Sequence, residues 1–369
     1  MFNKKFKNVL ISGLLCMAVA TTCVAAGCAD DTAGGEGKVV SYVAAPSITY
    51  NTTAEVVAAV ADTVVEISTE TVKTQWGQQY IVSGAGSGVI VGYSESDYYI
   101  VTNNHVIEVA NDISVTTRSG VKYDARLVAT DDSADIAVVT VASETELPLA
   151  VWGDSDTLMI GEDLIAIGNP LGSLGGTVTK GILSATGRSI AVGDYYMTLL
   201  QTDTAINPGN SGGGLFNLRG ELIGVVNAKT SDEEIEGICF AIPANYARGV
   251  CGDLLEYGYI KGRATLNLKL AEGSISTGIN TQSQGIAYLA SAEGWSEDTF
   301  RQYDRIYKIN GKEISCILDY NTVMAGIKPG DKVDVEVFRG NVTQGWLNNS
   351  ISFATEVTTF SVTALQYGE

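Results

Sequence analysis

The chain has 369 residues, 45% of them hydrophobic and 18% charged, and a formal charge of −19 at neutral pH. That length accommodates two folded domains and a connecting segment. So acidic a surface repels phosphate backbones, which argues against nucleic acid as a partner. With one histidine in the chain and no Cys/His cluster at ligand spacing, a zinc site is not expected and no cofactor is called for.

The chain opens with a basic head (Lys4, Lys5, Lys7) and an apolar run from Val9 onward, the pattern of an export signal. Val24 to Cys28, VAAGC, resembles a lipobox, with Ala25 where such boxes prefer leucine. Lipidation of Cys28 is the favoured outcome; cleavage after Ala26 and an uncleaved anchor are the alternatives. Each leaves the remainder outside the cytoplasm, attached to the membrane in the first and third cases. Residues 1–27 hold three lysines and no acids, so without them the chain would carry −22.

Residues 29–52 are small, polar and glycine-containing without helical period, and read as a flexible tether. Thr52-Thr53-Ala54-Glu55 is a capping-box pattern, followed by Val56, Val57 and Val60 at helical spacing. A short helix should open the folded part there. Between Val64 and Ala150 come short Val/Ile-rich runs separated by Gly, Ser and Asp turns, and a second set follows from Leu164 to Ile242. Strands at such spacing predict antiparallel barrels or sandwiches rather than βαβ units. The break near Val151–Asp156 divides the two halves.

Three positions in these halves carry candidate chemistry. His105 lies in YIVTNNHVI, after an apolar strand and a polar Asn pair. Asp135 enters the strand Ile136 to Val141; among Asp131, Asp132, Asp154 and itself, only Asp135 lies directly against the apolar run, where a carboxylate needs a partner. Ser211 lies in QTDTAINPGNSGGGL, among glycines and asparagines. Pro208 sets one turn residue there and Gly209 permits backbone forms that other residues resist. The N–H groups of Gly209 and Ser211 can then converge on one point, as an oxyanion hole requires.

Taken in order, TNNHV, SADIAVV and NPGNSGGGL resemble the HtrA/Deg family of trypsin-like serine proteases. SGAGSGVIV, AIGNPLG at 166–172, VTKGILSATGR at 178–188 and GELIGVVNAKT are similar to it as well. The resemblance runs from about Thr53 to the C-terminus. It implies a mainly β protein: two antiparallel β-barrels of the trypsin-like (chymotrypsin-type) fold over 53–258, then a PDZ-like α+β domain over 262–369. It also implies a catalytic triad of His105, Asp135 and Ser211 in the cleft between the barrels. By the same likeness the substrates are unfolded or misfolded exported polypeptides, and the assembly is a homo-oligomer, a trimer in relatives. A non-hydrolytic chaperone or peptide-binding adaptor is the rival reading, against which an intact His-Asp-Ser set speaks.

Within the last region, RQYDRIYKINGKEI and AGIKPGDKVDVEVFRG resemble later PDZ strands. RATLNLKL resembles the peptide-carboxylate loop, which makes Leu266, Asn267 and Leu268 candidate peptide contacts. Asn267 stands where such domains usually carry glycine, and residues 343–369 run past the usual end. In the strand after the nucleophile, Lys229 falls where a specificity pocket would be lined, with solvent as its other destination. Beyond Cys16, Cys23 and Cys28 the chain has Cys239, Cys251 and Cys316, which read as buried apolar fillers, with a Cys239–Cys251 disulfide as the alternative.

Overall fold

The computed structural model describes residues 40–43, 49–75, 78–168, 176–207, 209–228, 237–276, 283–343 and 350–367. The signal segment, Cys28, most of the tether, Pro208 and Lys229 lie outside the described residues.

Helix α1 (Thr53–Val60) begins where the capping box predicts it. Thr52 Oγ1 accepts the Glu55 N–H at 3.2 Å, and the Glu55 carboxylate accepts the Thr52 N–H at 3.0 Å. Such a cap contributes about 1 kcal/mol. Val56 and Val60, one turn apart, carry the helix's buried face into the main core.

Six strands follow: β1 (Val64–Gln75), β2 (Gln78–Ser94), β3 (Asp97–Thr102), β4 (Asp112–Thr116), β5 (Lys122–Asp131) and β6 (Ile136–Ala142), with a one-turn helix α2 (Asn104–Ile107) after β3. They close into a barrel in the order β1-β2-β3-β6-β5-β4. The second set comprises β7 (Val151–Trp152), β8 (Asp163–Gly168), β9 (Thr177–Val192), β10 (Tyr195–Thr202), β11 (Gly214–Phe216), β12 (Glu221–Asn227) and β13 (Cys239–Pro243). Its order is β11-β8-β9-β10-β13-β12-β7, and a further β11–β12 pairing closes six of the strands into a ring. Pairing is antiparallel throughout except for β7, which runs parallel to the start of β12.

The unbroken apolar runs of these strands follow from their two buried faces. Ile100 points into the first barrel's interior, while its neighbours Tyr99 and Val101 enter the core shared between the barrels. In β8, Leu164 and Ala166 fill the second barrel while Ile165 and Ile167 join that shared core. Side chains alternate along a strand, so a strand buried on both faces must be apolar at every position. The shared core glues the barrels together and places the end of β3, the entry to β6 and the β10–β11 loop at one cleft.

Helix α3 (Ala244–Tyr257) covers that core with Ala247, Val250, Cys251 and Leu254, and ends at Gly258 in the left-handed region at φ 79°. Beyond it lie β14 (Ala264–Thr265), β15 (Leu268–Ser276), β16 (Ser283–Ala292), β17 (Arg305–Ile309), β18 (Lys312–Glu313), α4 (Ile317–Met324), β19 (Lys332–Thr343), β20 (Ser350–Thr363) and β21 (Leu365–Gln366). Their main sheet runs β15-β16-β17-β19-β20 around a separate core with α4. The stretch past residue 343 is therefore built into this unit: β20 pairs along β19, and β21 pairs with β14 at its opposite end.

The cysteines depart in part from expectation. All three in the described residues are free, but only Cys251 is buried. Cys239 opens β13 at its outer end and Cys316 is the capping residue of α4, so both keep partial exposure.

Candidate active site

His105, Asp135 and Ser211 meet at the cleft, each brought by a different local device. β3 runs into Asn103, whose extended backbone starts α2, and this single turn lifts the His105 imidazole off the barrel. Asp135 has φ 48°, a left-handed conformation that aspartate tolerates better than most residues. The turn is closed by the Asp135 N–H donating to Asp132 O at 3.1 Å. It is braced by Asn103, whose Nδ2 donates to the Asp135 carbonyl at 2.9 Å.

The side chains form a hydrogen-bonded line. Asp135 Oδ1 accepts the His105 backbone N–H at 3.0 Å, and Oδ2 stands 2.8 Å from His105 Nδ1. His105 Nε2 lies 3.1 Å from Ser211 Oγ. A carboxylate only accepts, so Nδ1 carries the ring proton and Nε2 offers its lone pair to the serine hydroxyl. Asp135 is 2% exposed, and its Oδ2 takes a further bond from Asn227 Nδ2 at 2.8 Å. A buried carboxylate needs such partners, since each unmet acceptor costs about 1–3 kcal/mol.

The other acidic candidates are engaged elsewhere. Asp132 accepts from Asn104 Nδ2, and Asp154 caps the short turn at residues 155–157 and accepts from Asn245. Asp131, also 2% exposed, holds the turn before Asp135: its Oδ1 accepts the Ala134 N–H at 2.8 Å and the Ser133 hydroxyl at 2.9 Å. Its Oδ2 is in contact with the Arg263 guanidinium, from the segment that follows α3. The loop carrying Asp135 is thereby tied to the start of the C-terminal unit.

Ser211 is only 7% exposed, because the Ser87 backbone, the His105 ring and Ala228 cover it. Three bonds fix the turn. The Ser87 N–H donates to Ser211 O at 2.8 Å, the Ser87 hydroxyl to Gly209 O at 2.6 Å, and the Gly212 N–H to Val226 O at 2.9 Å. Gly209 and Gly212 have φ of 98° and 81°, and a Cβ at 212 would come within 2.2 Å of the Ser87 carbonyl. Only glycine fits there. With the carbonyls tied back, no hydrogen bond among the described residues engages the N–H of Gly209 or Ser211.

Sequence reasoning missed Asn103, Asn227 and Ser87. Asn227 had a signal, a polar residue ending the apolar run LIGVV, but the same pattern suits any strand leaving a core. In the C-terminal unit, Asn267 has φ 51°, which explains the expected glycine and its replacement by asparagine. Leu266 and Leu268 are buried, and the Leu266 carbonyl accepts from Trp295 Nε1 at 2.6 Å.

Two barrels meeting over a linked Asp, His and Ser define the class of trypsin-like peptidases, and residues 86–225 match the family model for the trypsin-like peptidase domain. The chain is 36% identical over 274 residues to the Serine protease Do-like HtrA of Bacillus subtilis (strain 168), covering 70% of this chain and 61% of the relative. It is 38% identical over 262 residues to the Periplasmic pH-dependent serine endoprotease DegQ of Escherichia coli (strain K12), covering 69% and 57%. Among solved structures, the HtrA-type protease AlgW with decapeptide superposes with a TM-score of 0.54 at 28% identity, covering 86% of this chain and 99% of that one. The chain is thus similar in sequence and fold to HtrA-type serine proteases, and it spans about three fifths of the length of the curated relatives it matches.

Proposed function

We propose that the chain is an extracytoplasmic serine endopeptidase that cleaves unfolded or damaged exported polypeptides. The observation that carries this reading is the line Asp135–His105–Ser211, with spacings of 2.8 and 3.1 Å. Neutral His105 takes the hydroxyl proton as Ser211 Oγ attacks the peptide carbonyl, and Asp135 stabilises the imidazolium that forms. The oxyanion is received by the N–H groups of Gly209 and Ser211. His105 then protonates the leaving amine, and water, activated by the same imidazole, hydrolyses the acyl-enzyme. Every group required belongs to the chain itself.

Export follows from the basic-apolar start and accords with relatives named periplasmic. Attachment to the outer face of the cell membrane would run through a lipid on Cys28. Assembly into a homo-oligomer, a trimer, follows family likeness. Residues 262–369 would be a PDZ-like module, with Leu266, Asn267 and Leu268 at a peptide carboxylate beside the edge strand β15.

The test is hydrolysis of denatured casein with and without a serine-reactive phosphonate. The native protein should cleave and be labelled on Ser211; Ser211→Ala should lose about a millionfold in rate, as removal of a triad nucleophile does. Cleavage by the pure variant at the native rate would overturn the assignment. A native protein that binds casein without cutting it would make the chain an adaptor.

A further inference from the structure

The β1–β2 hairpin extends beyond the first barrel and forms one side of a cleft of about 480 Å³ that starts at His105 and Ser211. On the face of β1 turned to this cleft stand Thr69, Thr71 and Lys73, opposite Gly84, Val82 and Tyr80. Glycines keep its inner end open. A Cβ at Gly86 would sit 2.6 Å from Val106 Cγ1 and 3.3 Å from the Ser211 carbonyl, and one at Gly84 would sit 2.6 Å from Thr69 Oγ1. The facing wall is Val106 and Val109, from α2 and the turn after it. That turn is stitched to the hairpin: the Thr71 hydroxyl donates to the Val109 carbonyl at 2.8 Å, and the Val72 N–H donates to Asn111 Oδ1 at 2.7 Å. Val109 is thus 64% exposed although its backbone is held, and Val82 across the cleft is 38% exposed.

Which half of a substrate lies here follows from the chemistry. The acyl half is held with its carbonyl oxygen toward Gly209 and Ser211, and the amine half departs from the side on which His105 returns its proton. The cleft begins at His105 and Val106 and leads away from Ser211 along the hairpin, so it receives the amine half. Each two-residue step along a strand advances about 6.7 Å. From Gly86 to the Val82 level is two steps and to the Lys73 level three, which an extended substrate covers in about four and six residues.

We propose that this groove is the subsite for the leaving half of the substrate. It takes an apolar side chain between Val82 and Val109 at the third or fourth residue past the scissile bond, and an acidic one at Lys73 at the fifth or sixth. This rests on the peptidase reading and deepens it to a substrate class. Two valines held open to water gain by covering one another with a guest side chain. The exposed lysine, on a chain of charge −19, sets the sign of the residue beyond.

The experiment compares peptides that share one acyl half and differ only past the scissile bond. With native protein, leucine at the third and fourth positions should exceed serine in kcat/KM by about tenfold, the scale of apolar-pocket discrimination. Val82→Asp should bring that ratio to about one or below. Lys73→Glu should reverse the preference for aspartate over lysine at the fifth and sixth positions. Each ratio is taken within one protein, so poor folding of a variant lowers both rates and leaves the ratio intact. Equal rates for the native protein, or variants that keep the native ratios, overturn the subsite while the peptidase stands. Absence of both cleavage and phosphonate labelling in the native protein removes the peptidase reading and the subsite with it.

Discussion

Asp135, between the barrels, and Asp304, in the C-terminal sheet, are 2% and 0% exposed, yet their company differs in kind. Asp304 is held by guanidinium groups: Arg339 Nη1 at 2.6 Å and Arg301 Nε at 3.6 Å, with the Gly340 and Arg301 N–H groups completing its shell. Asp135 has an amide, a backbone N–H and an imidazole around it. A guanidinium stays charged at any working pH, so the Asp304 cluster is a fixed clip joining the turn before β17 to β19. An imidazole can gain and lose a proton, so under the proposed mechanism the Asp135 carboxylate faces a partner that becomes charged as the serine is deprotonated. Two sealed carboxylates thus serve opposite ends, and the partner rather than the burial tells them apart.

Substituting each aspartate by asparagine tests that contrast. Asp135→Asn keeps the shape but lets an amide N–H face Nδ1, which favours the wrong tautomer. The rate on denatured casein should fall about ten-thousandfold with the circular dichroism melt little changed. An Asp135→Asn protein with near-native turnover would show that His105 is oriented by other groups. Asp304→Asn should do the reverse. It strands the Arg339 charge in a buried site, which costs about 3–5 kcal/mol in urea unfolding. Turnover per folded molecule should stay near native, because Asp304 touches none of the reacting groups. Equal effects on stability and rate from both substitutions would break the comparison.

The same contrast explains what the sequence could reveal. His105, Asp135 and Ser211 were legible because each sits at the edge of an apolar run, where a polar side chain has to find a partner nearby. The strands were legible because burial on both faces imposes unbroken runs such as YYIVT and LIAIG. Asn227 and Ser87 were not, since their roles exist only once the barrels meet: they bond to Asp135 and Gly209 across 92 and 122 residues of chain. The Asp131–Arg263 pair spans 132 residues and leaves no local trace. In the C-terminal unit, Phe353, Val357, Phe360 and Val362 carry strand-like residues past the expected domain end, and their place became clear only from their pairing with β19.

Cys251 sharpens the comparison on the smallest scale, by asking how closed the shared core of the barrels is. Burial alone pushes its thiol up to about 12 from an ordinary value of 9.0. The thiolate is the reactive form, so a maleimide at pH 8 should label Cys239 and Cys316, at the margins of their units, and spare Cys251 until the chain unfolds. Peptide mapping by mass distinguishes the three. The raised value also has a sign in pH: below about 9 the thiol is neutral in both states and its contribution to folding is fully present. Above that the unfolded chain releases the proton while the folded one retains it, so stability is lost as pH climbs toward about 12. Tyr195 and Tyr320, also raised by burial, act in the same direction, so the test is a difference. Cys251→Ala costs a cavity at every pH, but its urea midpoint should fall less steeply than the native one between pH 9 and 11. Parallel slopes, or ready labelling of Cys251 at pH 8, would mean that the core beneath α3 opens to water.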